Sequence, residues 1–254
     1  MDAVIRVENL VNRFGDQVVH DHLCLEMKRN EILGLVGGSG SGKSVLMRSI
    51  LGLQQPTAGR IEVLGHEIAF QKGVPSRQIG VLFQSGALLS GLTVQENVEL
   101  PMALHSDMPV ETRHELASLK LLMVGLPLSA ADKYPSELSG GMKKRAALAR
   151  AMALEPGVLL LDEPTAGLDP IAATEFDELI TYLHKSLDLS ILMITHDLDS
   201  LFSVCDRIAV LVDGGLIVGT VEEIFQSSHP WIASYFGVAR AQRAHGALRD
   251  RDRD

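Results

Sequence analysis

Along the first thirty positions, apolar residues alternate with polar ones. Ile5 and Val7 share one side of IRVENLV, and Leu23, Leu25 and Met27 share one side of LCLEM, the period-two spacing of strands with a single buried face. ILGLV at 32–36 is apolar throughout, which predicts a strand covered on both faces. A glycine-rich turn follows, and KSVLMRSILGL then keeps helical spacing as far as Gly52, a residue suited to a helix end. PTAG at 56–59 reads as a turn, and RIEVLG and QIGVLF (78–83) as strands. From about Leu92 to Glu155 the texture is helical: TVQENVELPM, then PVETRHELASLKLLMVGL between Pro109 and Gly125, then the run opened by LSGGM. VLLLDEP at 158–164 returns to buried strand, IAATEFDELITYLHKSL to an amphipathic helix, and SILMITH to strand. RIAVLVDGGLIVGT reads as two strands joined at its Gly-Gly pair, and Thr220 with Glu223 forms a capping box before another helix.

Strands alternating with helices imply a mostly parallel α/β sheet, here edged by antiparallel strands and interrupted by an inserted α-helical subdomain at about 92–155. Residues 4–238 form the expected catalytic-type domain, and 226–254 a C-terminal extension that either contacts a second copy or is partly disordered. Within it, SSHPWIASYFGVARAQ predicts a short helix bearing Trp231, while RDRDRD has nothing to bury.

Composition narrows the classes. With 254 residues, 46% of them hydrophobic, the chain can bury one large core. A net charge of −9 argues against a basic face for nucleic acid. Cys24 and Cys205 have neither disulfide nor metal spacing, which points to a reducing compartment. MDAVIRVENL is not a signal peptide, and no apolar run approaches ~18 residues. A soluble cytoplasmic chain is therefore expected, reaching a membrane only through partners.

The candidate chemistry starts at GGSGSGKS. Gly37, Gly38, Ser39, Gly40, Ser41, Gly42, Lys43 and Ser44 match the P-loop spacing between a buried strand and a helix, a resemblance that implies a P-loop NTPase (RecA-like) core sheet. Backbone N–H groups and the helix N-terminus cradle a polyphosphate, Lys43 reaches its β- and γ-phosphates, and the Ser44 hydroxyl holds Mg²⁺. Asp162, at the polar end of VLLLD, is placed to bind Mg²⁺, and Glu163 to orient the attacking water. His196 ends SILMITH where a parallel sheet opens its crevice, in reach of a γ-phosphate. Gln84, after QIGVLF, is a further candidate for the metal or the water. LSGGM supplies a second anion-binding helix start, with Ser139 as cap and Gly140 and Gly141 leaving N–H groups uncovered.

In this order, GGSGSGKS, Gln84, LSGGM, VLLLDE, AGLDP (166–170) and His196 resemble the ATPase subunits of ABC transporters over about residues 4–225. The resemblance implies ATP with Mg²⁺, Phe14 as the ring that stacks on adenine (or else a core phenylalanine), and a head-to-tail dimer. In such a dimer Ser139, Gly140 and Gly141 close on the γ-phosphate bound by the second copy, with Asp169 at the interface. It implies an integral membrane permease as partner, at the cytoplasmic face of a bacterial inner membrane. Met142 replaces the usual glutamine after the signature, and with FQSGALLSGLTVQENVELP (83–101) it resembles the ATPases of Mce/Mla-type phospholipid transporters. That subfamily implies a STAS-domain protein and a periplasmic MCE lipid-binding protein as further partners. The alternative is the ATPase of another importer or exporter, for amino acids or lipoproteins. In the family picture ALLSGL (87–92) is either a socket for the permease or a loop tucked onto its own subunit, and the Trp231–Phe236 patch is expected to reach the dimer partner. DNA-maintenance ATPases, twin-cassette ribosomal ATPases, kinases and GTPases fit less well: there is no coiled-coil insertion, no second Walker A and no N-K-x-D motif.

Overall fold

The computed structural model describes residues 3–68, 70 and 78–237. Two sheets and a helical layer share the chain. The first sheet is antiparallel, in the order β2 (Gln17–Lys28), β1 (Ala3–Phe14), β4 (Ala58–Val63), β5 (His66–Glu67). The second has the order β10 (Gly215–Gly219), β9 (Arg207–Val212), β3 (Ile32–Gly37), β8 (Ser190–Ile194), β7 (Val158–Asp162), β6 (Ile79–Leu82). All its pairings are parallel except β9–β10.

The continuously apolar runs serve two cores at once. On β7, Val158 and Leu160 join one core while Leu159 and Leu161 join the other; β8 divides Leu192 and Ile194 from Ile191 and Met193 in the same way. Strand alternation is still present, and both faces are covered. One core lies between the two sheets and α1 (Lys43–Ile50); the other lies beneath α5 (Pro170–Leu187), α6 (Leu198–Val204) and the helical insertion.

The insertion consists of α2 (Val94–His105), α3 (Val110–Met123) and α4 (Gly140–Ala151). Thr93 and Glu96 box the start of α2, and Gly125, at φ 72°, follows the end of α3. Thr220 and Glu223 box the start of α7 (Val221–Phe225), as expected.

Two sequence expectations change, and two apolar segments find their place on their own chain. β1 runs to 12 residues because register shifts around Asn9 (φ 49°) reset its parity, so Leu10 and Asn12 turn inward after Val7. The β9–β10 turn is Asp213–Gly214, both at positive φ as a two-residue hairpin requires, while Gly215 lies in the strand. The run ALLSGL divides: Leu88 packs on the core, Leu89 is 48% exposed, and buried Asn97 bonds the backbone of Leu89, Leu92 and Thr93. The Trp231–Phe236 patch packs on its own chain. Ile232 and Phe236 are buried, and Phe236 meets Phe202 and Phe225 in a cluster of three rings. RDRDRD and the remainder after 237 lie outside the described residues. Among the described residues, no helix is long and apolar enough to cross a membrane.

Candidate functional site

β3, β7 and β8 end side by side, so the segments that leave them converge. After β3 the chain makes the glycine loop. Gly40 and Gly42 hold φ of 75° and 107°. At Gly42 a side chain is excluded by space as well, because a Cβ there would stand 2.5 Å from His20 Nε2 and from Val19 Cγ1. Ser39, Gly40 and Ser44 are exposed, whereas the Ser41 hydroxyl is buried and has no hydrogen-bond partner. Lys43 Nζ donates to the carbonyls of Gly37 at 2.8 Å and Gly38 at 3.0 Å. Burial lowers the Lys43 pKa, and the carboxylates of Glu163 and Asp162 oppose that shift.

Asp162 ends β7, half-buried. Burial first, then the neighbouring Glu163 charge, raises its pKa, while Lys144, Lys43 and Arg48 pull it down. Glu163 follows in a left-handed conformation (φ 49°), its N–H donating to Ile194 O at 2.8 Å. That turn aims the carboxylate at β8's end, where Glu163 Oε2 lies 2.6 Å from His196 Nδ1. The glutamate side chain is 14% exposed and the histidine 73%. The structure thus brings Lys43, Asp162, Glu163 and His196 into one electrostatic neighbourhood. A carboxylate paired with an imidazole can accept a proton from water and hand on a hydrogen bond.

Gln84 is exposed two residues past β6, and its backbone is held from α4. Lys144 Nζ donates to Gln84 O at 2.6 Å and to Glu163 O at 3.0 Å, while the Arg150 guanidinium donates to Gly86 O and Ala87 O. Lys144 is 6% exposed. The sequence reading missed both cations, because a KKR run in a good helix former looks like a solvated face. It also missed His20, fully buried against Gly42 with neither ring nitrogen bonded and its pKa lowered by burial.

Ser139 caps α4, its hydroxyl accepting from Met142 N–H at 3.3 Å, and a Cβ on Gly141 would meet nothing within 4 Å. The helix start therefore stays open. It lines a cleft of about 320 Å³ with Gly167, Leu168 and Asp169. Asp169 caps α5 by accepting from the N–H groups of Ile171 and Ala172. The cavity on the P-loop flank, about 260 Å³, is lined by Gly38, Gly40 and Ser41. The two cavities share no residue. Phe14 is 45% exposed at the tip of the β1–β2 hairpin rather than in the core.

Residues 20–166 match the model of the ABC transporter family. The methionine import ATP-binding protein of Caulobacter vibrioides is 45% identical over 210 residues, 80% of this chain and 62% of that protein. A methionine import protein of Haemophilus influenzae is 40% identical over 64% of its length, so the chain spans less than two thirds of these relatives. The intermembrane phospholipid transport ATP-binding protein MlaF of Haemophilus influenzae is 38% identical, over 88% of this chain and 86% of that protein. Among solved structures, cbiO1 of Clostridium perfringens, part of an ABC transporter complex, superposes with a TM-score of 0.81 at 30% identity, covering 98% of this chain and 100% of its own. A dimeric ATP-binding cassette in a post-hydrolysis state with ADP and Pi gives 0.77 at 28% identity, over 85% of this chain and 98% of its own.

Proposed function

The chain belongs to the family of ABC transporter ATP-binding domains, and from that premise we propose that it is the ATP-hydrolysing subunit of a membrane transporter. One observation carries the reading: Glu163 Oε2 and His196 Nδ1 meet at 2.6 Å across the ends of β7 and β8, beside Lys43 and Asp162. The loop fits a polyphosphate, since it has room only for glycine at 42 and a buried, unpartnered Ser41 hydroxyl. In use, Lys43 exchanges its bonds to Gly37 and Gly38 for β- and γ-phosphate oxygens. Glu163 holds the attacking water and takes its proton as the new P–O bond forms and the β–γ bridge breaks. His196, steadied by Glu163, bonds a γ-phosphate oxygen. Ser44, Asp162 and Gln84 offer hard oxygen donors that suit Mg²⁺, which neutralises charge on the phosphates. Phe14 stacks on the adenine.

A second copy completes the site in this reading. Ser139, Gly140 and Gly141 approach the partner's ATP, with Asp169 beside them, giving a two-fold dimer. The loop from Gln84 to Leu92 meets an integral membrane permease from the cytoplasmic side. For the cargo we favour import of a small solute such as an amino acid, because identity to the methionine-import relatives, 45% and 40%, exceeds the 38% to the phospholipid relative. The phospholipid reading, with STAS-domain and MCE partners, draws on Met142, the 83–101 loop and a match over 86% of that relative's length.

Glu163→Gln tests the engine: ATP binding persists by calorimetry and turnover falls at least a hundredfold, whereas turnover near the wild-type rate would remove Glu163 from its role. Affinity purification from native membranes tests the cargo. A co-purifying solute-binding protein supports import, and MCE and STAS proteins with bound phospholipid support the other reading.

A further inference from the structure

The helical stretch at 230–237 spans from the flank of the P-loop to the loop after β8. At its start, Trp231 Nε1 lies 3.6 Å from the place a Cβ on Gly38 would take. With Gly38, Gly40 and Ser41 the indole lines the flank cavity. One turn on, Tyr235 stacks against Trp231, ring centroids 4.7 Å apart and planes 13° from parallel. This is the neighbour relation of positions i and i+4 on a helix. The Tyr235 hydroxyl donates to His196 O at 3.3 Å. Burial, with the charges of Glu163 and Asp197, raises the pKa of this phenol, so it stays a donor.

The helix is held from its opposite face. Ile232 and Phe236 are buried, and Phe236 lies 6.0 Å from Phe202 and 5.7 Å from Phe225 between ring centroids. His229 fastens the first turn: its Nδ1 accepts from Trp231 N–H at 3.2 Å, and its Nε2–H donates to Asp213 at 3.1 Å. An anchored helix therefore carries two stacked rings, one against the phosphate loop and one bonded to the histidine backbone.

We propose that Trp231 and Tyr235 are positioning residues of the nucleotide site: the stacked pair couples the P-loop at Gly38 to the backbone of His196. A shift of the loop toward a bound polyphosphate presses on the indole, the stack carries it to Tyr235, and the hydroxyl sets the attitude of the His196 backbone. Neither ring touches ATP. The inference rests on the ATPase reading above.

Trp231 is the sole tryptophan of the chain, so its emission reports on this contact. Full-length protein is titrated with Mg–ATP while binding is measured separately by calorimetry. The expected result is an emission change that saturates with the calorimetric isotherm. Tyr235→Phe keeps the stack and loses only the hydroxyl; kcat falls about fivefold, the weight of one neutral hydrogen bond, with KM unchanged. A purely packing role for the ring would leave both constants where they were in this variant. Tyr235→Ala removes the stack and the emission response, with ATP affinity retained. ATP binding by calorimetry with flat Trp231 emission, or Tyr235→Phe turning over at the wild-type rate, overturns the coupling and leaves the ATPase reading intact. No ATP binding by calorimetry overturns the ATPase reading and the coupling with it.

Discussion

Asp177 lies on the inward face of α5, 8% exposed, with its Oδ1 unpartnered. Its pKa is pushed up to about 6, by burial first; the Ser200 hydroxyl opposes the shift and the Asp197 charge adds to it. The sign follows from which form the fold prefers. The native state favours the protonated acid, so its stabilisation is complete below the ordinary aspartate range. It is lost as pH rises from about 4 through about 6. The loss is at most about 3 kcal/mol. Asp177→Asn stays neutral at every pH, so its Tm is expected to exceed that of the native chain at pH 8, with the gap closing toward pH 4. Melting curves across that range check it, and a gap that widens on acidification contradicts it. His20 behaves in the opposite sense: its pKa is lowered by burial, so acidification below the ordinary histidine range is what costs stability there.

At the scale of elements, α4 is a fastening. Lys144 joins the carbonyls of Gln84 and Glu163, just past the paired ends of β6 and β7, and Arg150 holds Gly86 and Ala87. Lys144→Met keeps the volume and removes the donors. It is expected to lower kcat about tenfold, because both the Gln84 loop and the Glu163 turn lose their anchor, while ATP affinity stays within about twofold. Steady-state kinetics with calorimetry would show it, and unchanged kcat would count against the fastening. The helix also marks what a sequence reader can and cannot see. VLLLD and SILMI announce buried strands because both faces are apolar, and Lys43, Asp162, Glu163 and His196 stand at the ends of such strands, where topology alone makes them neighbours. Lys144 and Gln84 are 60 positions apart, and nothing local distinguishes a lysine that will be buried from one that will be solvated. Asn9 hid a bulge inside an ordinary polar interval for the same reason. The Trp231–Phe236 patch was legible as apolar, yet its target, the rings of Phe202 and Phe225 on two other segments, was not.

At the scale of the molecule, the described residues place the flank of the P-loop and the start of α4 on separate cavities. In the proposed dimer a two-fold copy unites them, each chain lending Ser139–Gly141 to the other's phosphate. Ser139→Arg fills the open start of α4 and is expected to leave ATP binding intact while abolishing ATP-dependent dimerisation of the Glu163→Gln background. Light scattering with and without ATP measures it, and a dimer of undiminished strength would sink the trans geometry.

One helix lies behind all of this. In the dimer proposed above, the first turn of α4 faces the second copy's phosphate, and the same helix grips, with Lys144 and Arg150, the loop that carries exposed Leu89. On that proposal the helix is a connecting rod: a push on the loop from a permease and the closing of a nucleotide sandwich become two readings of one rigid-body stroke.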